Sequence, residues 1–173
     1  MKTFFTAALV AAASMIVIMS NADANPASVE WKSISQALED APKQNKLILL
    51  DVYTDWCGWC KRMDRDTYAD STIAAYLGER FIASKMNPEK DGKVAYESKE
   101  FTNGQFGQAL GINSYPATAF FNEKGELLTV VSGYVAAKDF LVILKFFGDG
   151  AYLNTKWDDY VARNKEAEQD AAK

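Results

Sequence analysis

Asp55-Trp56-Cys57-Gly58-Trp59-Cys60-Lys61-Arg62 decides how this chain is read. It holds the only two cysteines, spaced Cys-x-x-Cys. It follows the apolar run Leu47-Ile48-Leu49-Leu50, part of a strand over 47–54 with apolar residues on both faces, hence central in its sheet. Lys61 to Thr67 reads as the start of a helix. A strand that delivers a thiol pair to a helix N-terminus is a redox arrangement with a physical cause. The helix end presents unpaired N–H groups and partial positive charge. A thiolate placed there is stabilised, so its pKa falls and it becomes a nucleophile near neutral pH.

The rest of the composition narrows the chemistry. At 173 residues, 49% hydrophobic and 24% charged, the chain can build one domain with an ordinary core, plus extensions. A net charge of −4 gives no basic footprint, so nucleic acid is not an expected partner. Histidine is absent, which removes Ser-His-Asp and Cys-His catalysis and imidazole ligands. Two cysteines cannot form a four-thiolate zinc or iron–sulfur site in one chain. What remains is thiol–disulfide exchange, a structural disulfide, or a two-thiolate soft-metal site. A bridge across two residues constrains little of the unfolded chain, which disfavours a purely structural staple. Only Met63 lies near the pair as a further soft ligand.

Residues 1–24 read as an export signal: Lys2, an apolar stretch from Phe4 to Met19, then an Ala22-Asp23-Ala24 cleavage site, with Asn25 first in the mature chain. The alternative is an uncleaved anchor, but the run falls short of the ~20 residues a spanning helix needs. Export, with a bacterial periplasm as the expected destination, puts the cysteine pair in an oxidising compartment.

Residues 28–42 read as an amphipathic helix capped by Ser28, with Trp31, Ile34, Leu38 and Ala41 on one face and a break at Pro42. Asp51 interrupts the apolar strand, and an acid there is costly to bury without a role or a partner. Asp70 or Ser71 caps a second helix with Ile73, Tyr76 and Leu77 facing inward, before a strand from Phe81 to Met86. Residues 87–92 form a charged turn. Val94 to Leu110 is weakly helical, its second half the better supported. Ala119-Phe120-Phe121, the turn Asn122-Glu123-Lys124-Gly125 and Leu127 to Val131 make a hairpin. A helix follows over 138–147, a Gly-Asp-Gly break at 148–150, and a short amphipathic helix bearing Trp157, Tyr160 and Val161, with a charged end from Lys165 that frays. The order predicts an α/β fold: a mixed sheet of about four strands, helices on both faces, and a domain over 25–150 followed by a C-terminal extension over 151–173.

Leu50-Asp51-Val52-Tyr53-Thr54-Asp55-Trp56-Cys57-Gly58-Trp59-Cys60-Lys61, together with Tyr115-Pro116-Ala117-Thr118 before a strand, resembles the thioredoxin superfamily over about residues 29–147. Within the superfamily the closer likeness is to exported thioredoxin-like proteins and to the C-terminal domain of the periplasmic transmembrane thiol reductase. Three features depart from thioredoxins: Gly58-Trp59 between the cysteines, extra sequence around Asp91 to Phe101, and the tail beyond Gly148.

The resemblance implies a thioredoxin-like fold and a protein thiol–disulfide oxidoreductase, with a reductase the expected direction. Cys57 would be the exposed nucleophile and Cys60 the more buried resolving thiol. Asp51 would be the buried acid that takes and returns the Cys60 proton, and Lys85 its partner. Pro116 would be cis and face the thiols, exposing the Tyr115 backbone to an extended substrate, with Trp56 and Trp59 as an apolar collar. No cofactor is implied. The implied partners are proteins bearing disulfides or thiols and a membrane thiol reductase as electron donor, with the protein itself a monomer. Two other readings stay open at this level: a non-catalytic binding module of the same fold, and a Cu(I) carrier using the same cysteines.

Overall fold

The computed structural model describes residues 28–171, so the signal segment lies outside the described residues. At the centre is a four-stranded sheet ordered β2-β1-β5-β6. β1 (Leu47–Val52) pairs in parallel with β2 (Phe81–Met86) and antiparallel with β5 (Ala117–Phe121), which pairs antiparallel with β6 (Leu127–Ser132). Alternation along β1 divides the core in two. Ile48, Leu50 and Val52 face a layer built by α1 (Ile34–Gln44) and α4 (Asn103–Ala109), with Phe106 and Phe121 buried in it. Leu49 and Phe120 face the opposite layer, built by α2 (Gly58–Met63), α3 (Ser71–Arg80) and α5 (Ala137–Gly148). This is the expected mixed sheet with helices on both faces.

At four points the local structure differs from these expectations. The first helix starts at Ile34, not near Ser28. Ser33 caps it and forms a reciprocal capping box with Gln36. Trp31 lies ahead of the helix, and Lys32 bridges to β2 in parallel: Lys32 N–H donates to Ala83 O at 3.0 Å, and Lys85 N–H donates to Lys32 O at 3.1 Å. Pro42 sits in the last turn of α1 and does not break it. The weak helix read from Val94 begins as a hairpin of β3 (Lys93–Tyr96) and β4 (Lys99–Thr102); only its second half is helical, as α4. Tyr96 and Phe101 pack against Phe106, and Tyr96 also against Phe121, so the hairpin closes the end of the first core layer.

In the C-terminal extension, α6 (Trp157–Ala171) runs through the segment read as frayed. Trp157 and Tyr160 pack against Phe146 of α5, at 5.2 and 5.1 Å between ring centres. Among the described residues no helix is long and apolar enough to cross a membrane.

Candidate functional site

β1 ends at Val52, and the chain turns through Thr54 into α2. Cys57 is the N-cap of α2, with extended backbone (φ −72°, ψ 105°). Its sulfur takes the place of the usual cap oxygen: Cys60 N–H donates to Cys57 Sγ at 3.1 Å. The two cysteines form a disulfide, with Cα atoms 5.3 Å apart. Each is only 4% exposed, so Cys57 is not the open sulfur, and Cys60 is not the more buried one, in this oxidised form. The reason is local: the Cys57 sulfur turns back over the first turn of the helix to meet both the amide and the sulfur of Cys60. The exposed groups are Trp56 (67%) and Trp59 (54%). Trp56 stands edge-on to Tyr115, and Trp59 tilts against Tyr134, with the Arg62 guanidinium 5.1 Å from the Trp59 ring centre. The Tyr115–Pro116 peptide is cis.

Beneath α2 runs a polar row set by strand register. Asp51 lies opposite Lys85 on β2 and Thr118 on β5, so all three side chains point to the α2 side of the sheet. Asp51 is 2% exposed. Lys85 Nζ is 3.4 Å from Asp51 Oδ2 and also bonds the Asp64 carboxylate. Asp51 Oδ1 has no hydrogen-bond partner among the described residues. Burial pushes the Asp51 carboxyl up to about 6, and the Lys85 charge pulls the other way. Tyr68 is buried and hydrogen-bonds Thr118 Oγ1 at 3.3 Å; burial holds its phenol well above the ordinary tyrosine value.

Several members of this site were missed as such in the sequence. A π-helical turn over Asp64–Tyr68 follows α2 directly. It brings Asp64 to Lys85 and Tyr68 under the sheet, and Thr67 Oγ1 donates to Val135 O at 2.7 Å. Lys85 is also ringed by aromatics: its Nζ is 4.6 Å from the Trp31 ring centre, 5.2 Å from Tyr53 and 5.7 Å from Tyr68. Asp64 had a readable signal, since it lies four residues after Cys60 and so on the same helix face. The acids near the thiols are neutralised locally: Asp55 by Lys90, Asp64 by Lys85, and Asp66 by Arg62 and Arg65.

A disulfide capping a helix, above a buried carboxyl, on a mixed sheet clad on both faces, defines a thioredoxin-fold protein with a redox-active cysteine pair, the class of the thiol–disulfide oxidoreductases. The profile of the thioredoxin-like domain family matches residues 34–148, and the chain belongs to that family. It is 28% identical over 100 residues to the thiol:disulfide interchange protein DsbD of Actinobacillus pleuropneumoniae, covering 57% of this chain and 16% of that protein. It is 28% identical over 121 residues to DsbD of Photorhabdus laumondii, covering 65% of this chain and 19% of that protein. The chain thus spans less than a fifth of the curated relatives it matches. A thioredoxin-fold protein from Helicobacter pylori superimposes with a TM-score of 0.58 at 26% identity, covering 77% of this chain and 92% of that one.

Proposed function

We propose that the protein is an exported thiol–disulfide oxidoreductase that reduces disulfides of partner proteins. The observation that carries this reading is the Cys57 sulfur at the N-cap of α2, held by the Cys60 amide at 3.1 Å. A thiolate at that position accepts a hydrogen bond and meets the positive helix end.

In the reduced protein the Cys57 thiolate attacks one sulfur of a partner disulfide. A mixed disulfide forms, and the first partner sulfur leaves as a thiolate. Cys60 gives its proton to Asp51, directly or through a water, and attacks the Cys57 sulfur. The Cys57–Cys60 bond closes and the second partner thiolate leaves, so two electrons have passed to the partner. Lys85 tunes Asp51 during this transfer. Trp56, Trp59, Tyr115 and Pro116 receive the partner chain, which lies extended along the Tyr115 backbone. The kinship to interchange proteins supports a membrane thiol reductase as the source of electrons. We further propose a periplasmic location after cleavage behind Ala24, and a monomer.

A Cys60→Ser variant tests the reading, because partners caught by Cys57 can no longer be released. Mixed disulfides that accumulate in cells and vanish in Cys57→Ser support it; their absence sinks it. The reduction potential tests direction: a value near about −270 mV fits a reductase, and one near about −120 mV an oxidase.

A further inference from the structure

The loop that follows β2 makes an unusual set of contacts with the disulfide loop. Trp56 Nε1–H donates to both carboxylate oxygens of Glu89, at 2.9 and 3.1 Å. Lys90 Nζ meets Asp55 Oδ2 at 2.7 Å, and Asn87 Nδ2 donates to Asp55 Oδ1 at 3.2 Å. The loop is itself held. Glu89 N–H donates to Asn87 Oδ1 at 2.9 Å. Asn103, at the start of α4, donates to the carbonyls of Asn87 and Lys90 at 3.2 and 3.3 Å. The inserted segment before α4 is therefore linked, through Asn103, to the two residues that precede Cys57.

The Trp56–Glu89 and Asp55–Lys90 contacts are exposed, and exposed pairs contribute little to folding. What they do fix is the direction of a large side chain. Trp56 is two-thirds exposed, so burial does not choose its rotamer. Its one polar atom is bound to Glu89, and its ring edge meets Tyr115 at 6.1 Å between centres. The indole therefore stands as a preset apolar wall beside the disulfide. An anchor already in its bound rotamer loses less entropy when a partner arrives.

We propose that Glu89 is a positioning residue for partner recognition: by holding the Trp56 indole it sets a wall that selects protein disulfides flanked by apolar side chains. This rests on the thiol-exchange reading above. The wall acts on partner binding and leaves the sulfur chemistry unchanged.

The test compares kcat and KM for the full chain on insulin, a protein disulfide, and on oxidised glutathione, a small polar one. In Glu89→Ala, KM for insulin rises about fivefold, on the scale of one solvent-exposed hydrogen bond. The insulin-to-glutathione ratio of kcat/KM falls by the same factor. Glu89→Gln keeps an acceptor and restores most of the loss. Trp56→Phe keeps a ring but lacks the N–H, so it reaches the same lost bond by a second route, and adding Glu89→Ala to it costs nothing more. A loss that appears in kcat, falls equally on both substrates, or multiplies in the double variant overturns the proposal. Wild-type turnover of glutathione reports on the exchange reading alone.

Discussion

Replacing Asp51 by asparagine should stabilise the oxidised protein at neutral pH and leave it unchanged in acid. The folded carboxyl keeps its proton up to about pH 6, whereas an ordinary aspartate releases it near 3.8. Between those values the native state binds more protons than the unfolded chain. Stability therefore falls as pH rises through that window, and the loss is complete above the folded value. The gap of about two pKa units corresponds to about 3 kcal/mol. Asparagine is close in shape to the protonated acid and carries no charge to desolvate. Lys85 keeps its bond to Asp64 in the variant, so removing the Asp51 charge does not strand the lysine.

The assay is urea unfolding of both proteins, with the disulfide intact, from pH 3.5 to 8. Other carboxylates titrate in this range, but they do so in both proteins, and the difference curve isolates position 51. It should lie near zero below pH 4, rise between 4 and 6, and level off at about 3 kcal/mol in favour of Asp51→Asn. A flat difference curve, or a variant less stable than wild type at pH 7.5, would refute the account of Asp51 as a buried acid held above its ordinary pKa. The same variant should slow resolution of the mixed disulfide about 100-fold if the carboxylate is the proton acceptor.

Lys85→Met removes the cation that opposes burial, so the Asp51 midpoint should move above 6 by about one unit or more, read by NMR titration of its carboxyl carbon. Phe120→Ala should cost about 3–5 kcal/mol in chemical unfolding, because this ring is fully buried and stacks on Phe147 at 4.7 Å while touching Phe81 and Phe140. Asp70→Ala should cost about 1 kcal/mol, since its carboxylate accepts from the amides of Thr72 and Ile73 at 2.8 and 3.1 Å at the start of α3.

Signals that act within a few residues were legible. The Asn122 side chain accepts from the amides of Lys124 and Glu126, and Gly125 takes φ +81°, so the hairpin turn is written in the residues that make it. Asp70 and the Cys57-Cys60 pair are local in the same way. The β3–β4 hairpin is different. Its turn residues Glu97 and Ser98 both have positive φ (48° and 63°) without the Asn or Gly that announces such a turn. What supports it is distant: Tyr96 reaches Phe121 across the core. Trp31 departs from its expected helix for a related reason. Its apolar spacing fits a helix face, but it lies ahead of α1, beside Lys32, whose backbone bridges to β2, and there its ring covers Lys85 and meets Tyr68 edge-on at 4.9 Å. The tether from Glu89 to Trp56 spans 33 positions and left no trace in either segment.

The polar row beneath the disulfide shows how far a single buried charge can determine the rest. Asp51 shares a strand face with Leu49, while Ile48, Leu50 and Val52 take the other. With β1 and β2 in parallel register, Leu47 meets Phe81, and Asp51 therefore meets Lys85. A slip of one residue would turn Lys85 into the layer formed by Ile34, Val94 and Phe106 and leave the Asp51 carboxylate without its cation. Both errors bury an unpaired charge, and each costs more than the apolar contacts a slipped register could recover. The Asp51–Lys85 pair thus also fixes strand alignment. Changing Asp51 to asparagine removes the pKa effect while Lys85, still bound to Asp64, continues to oppose the slip.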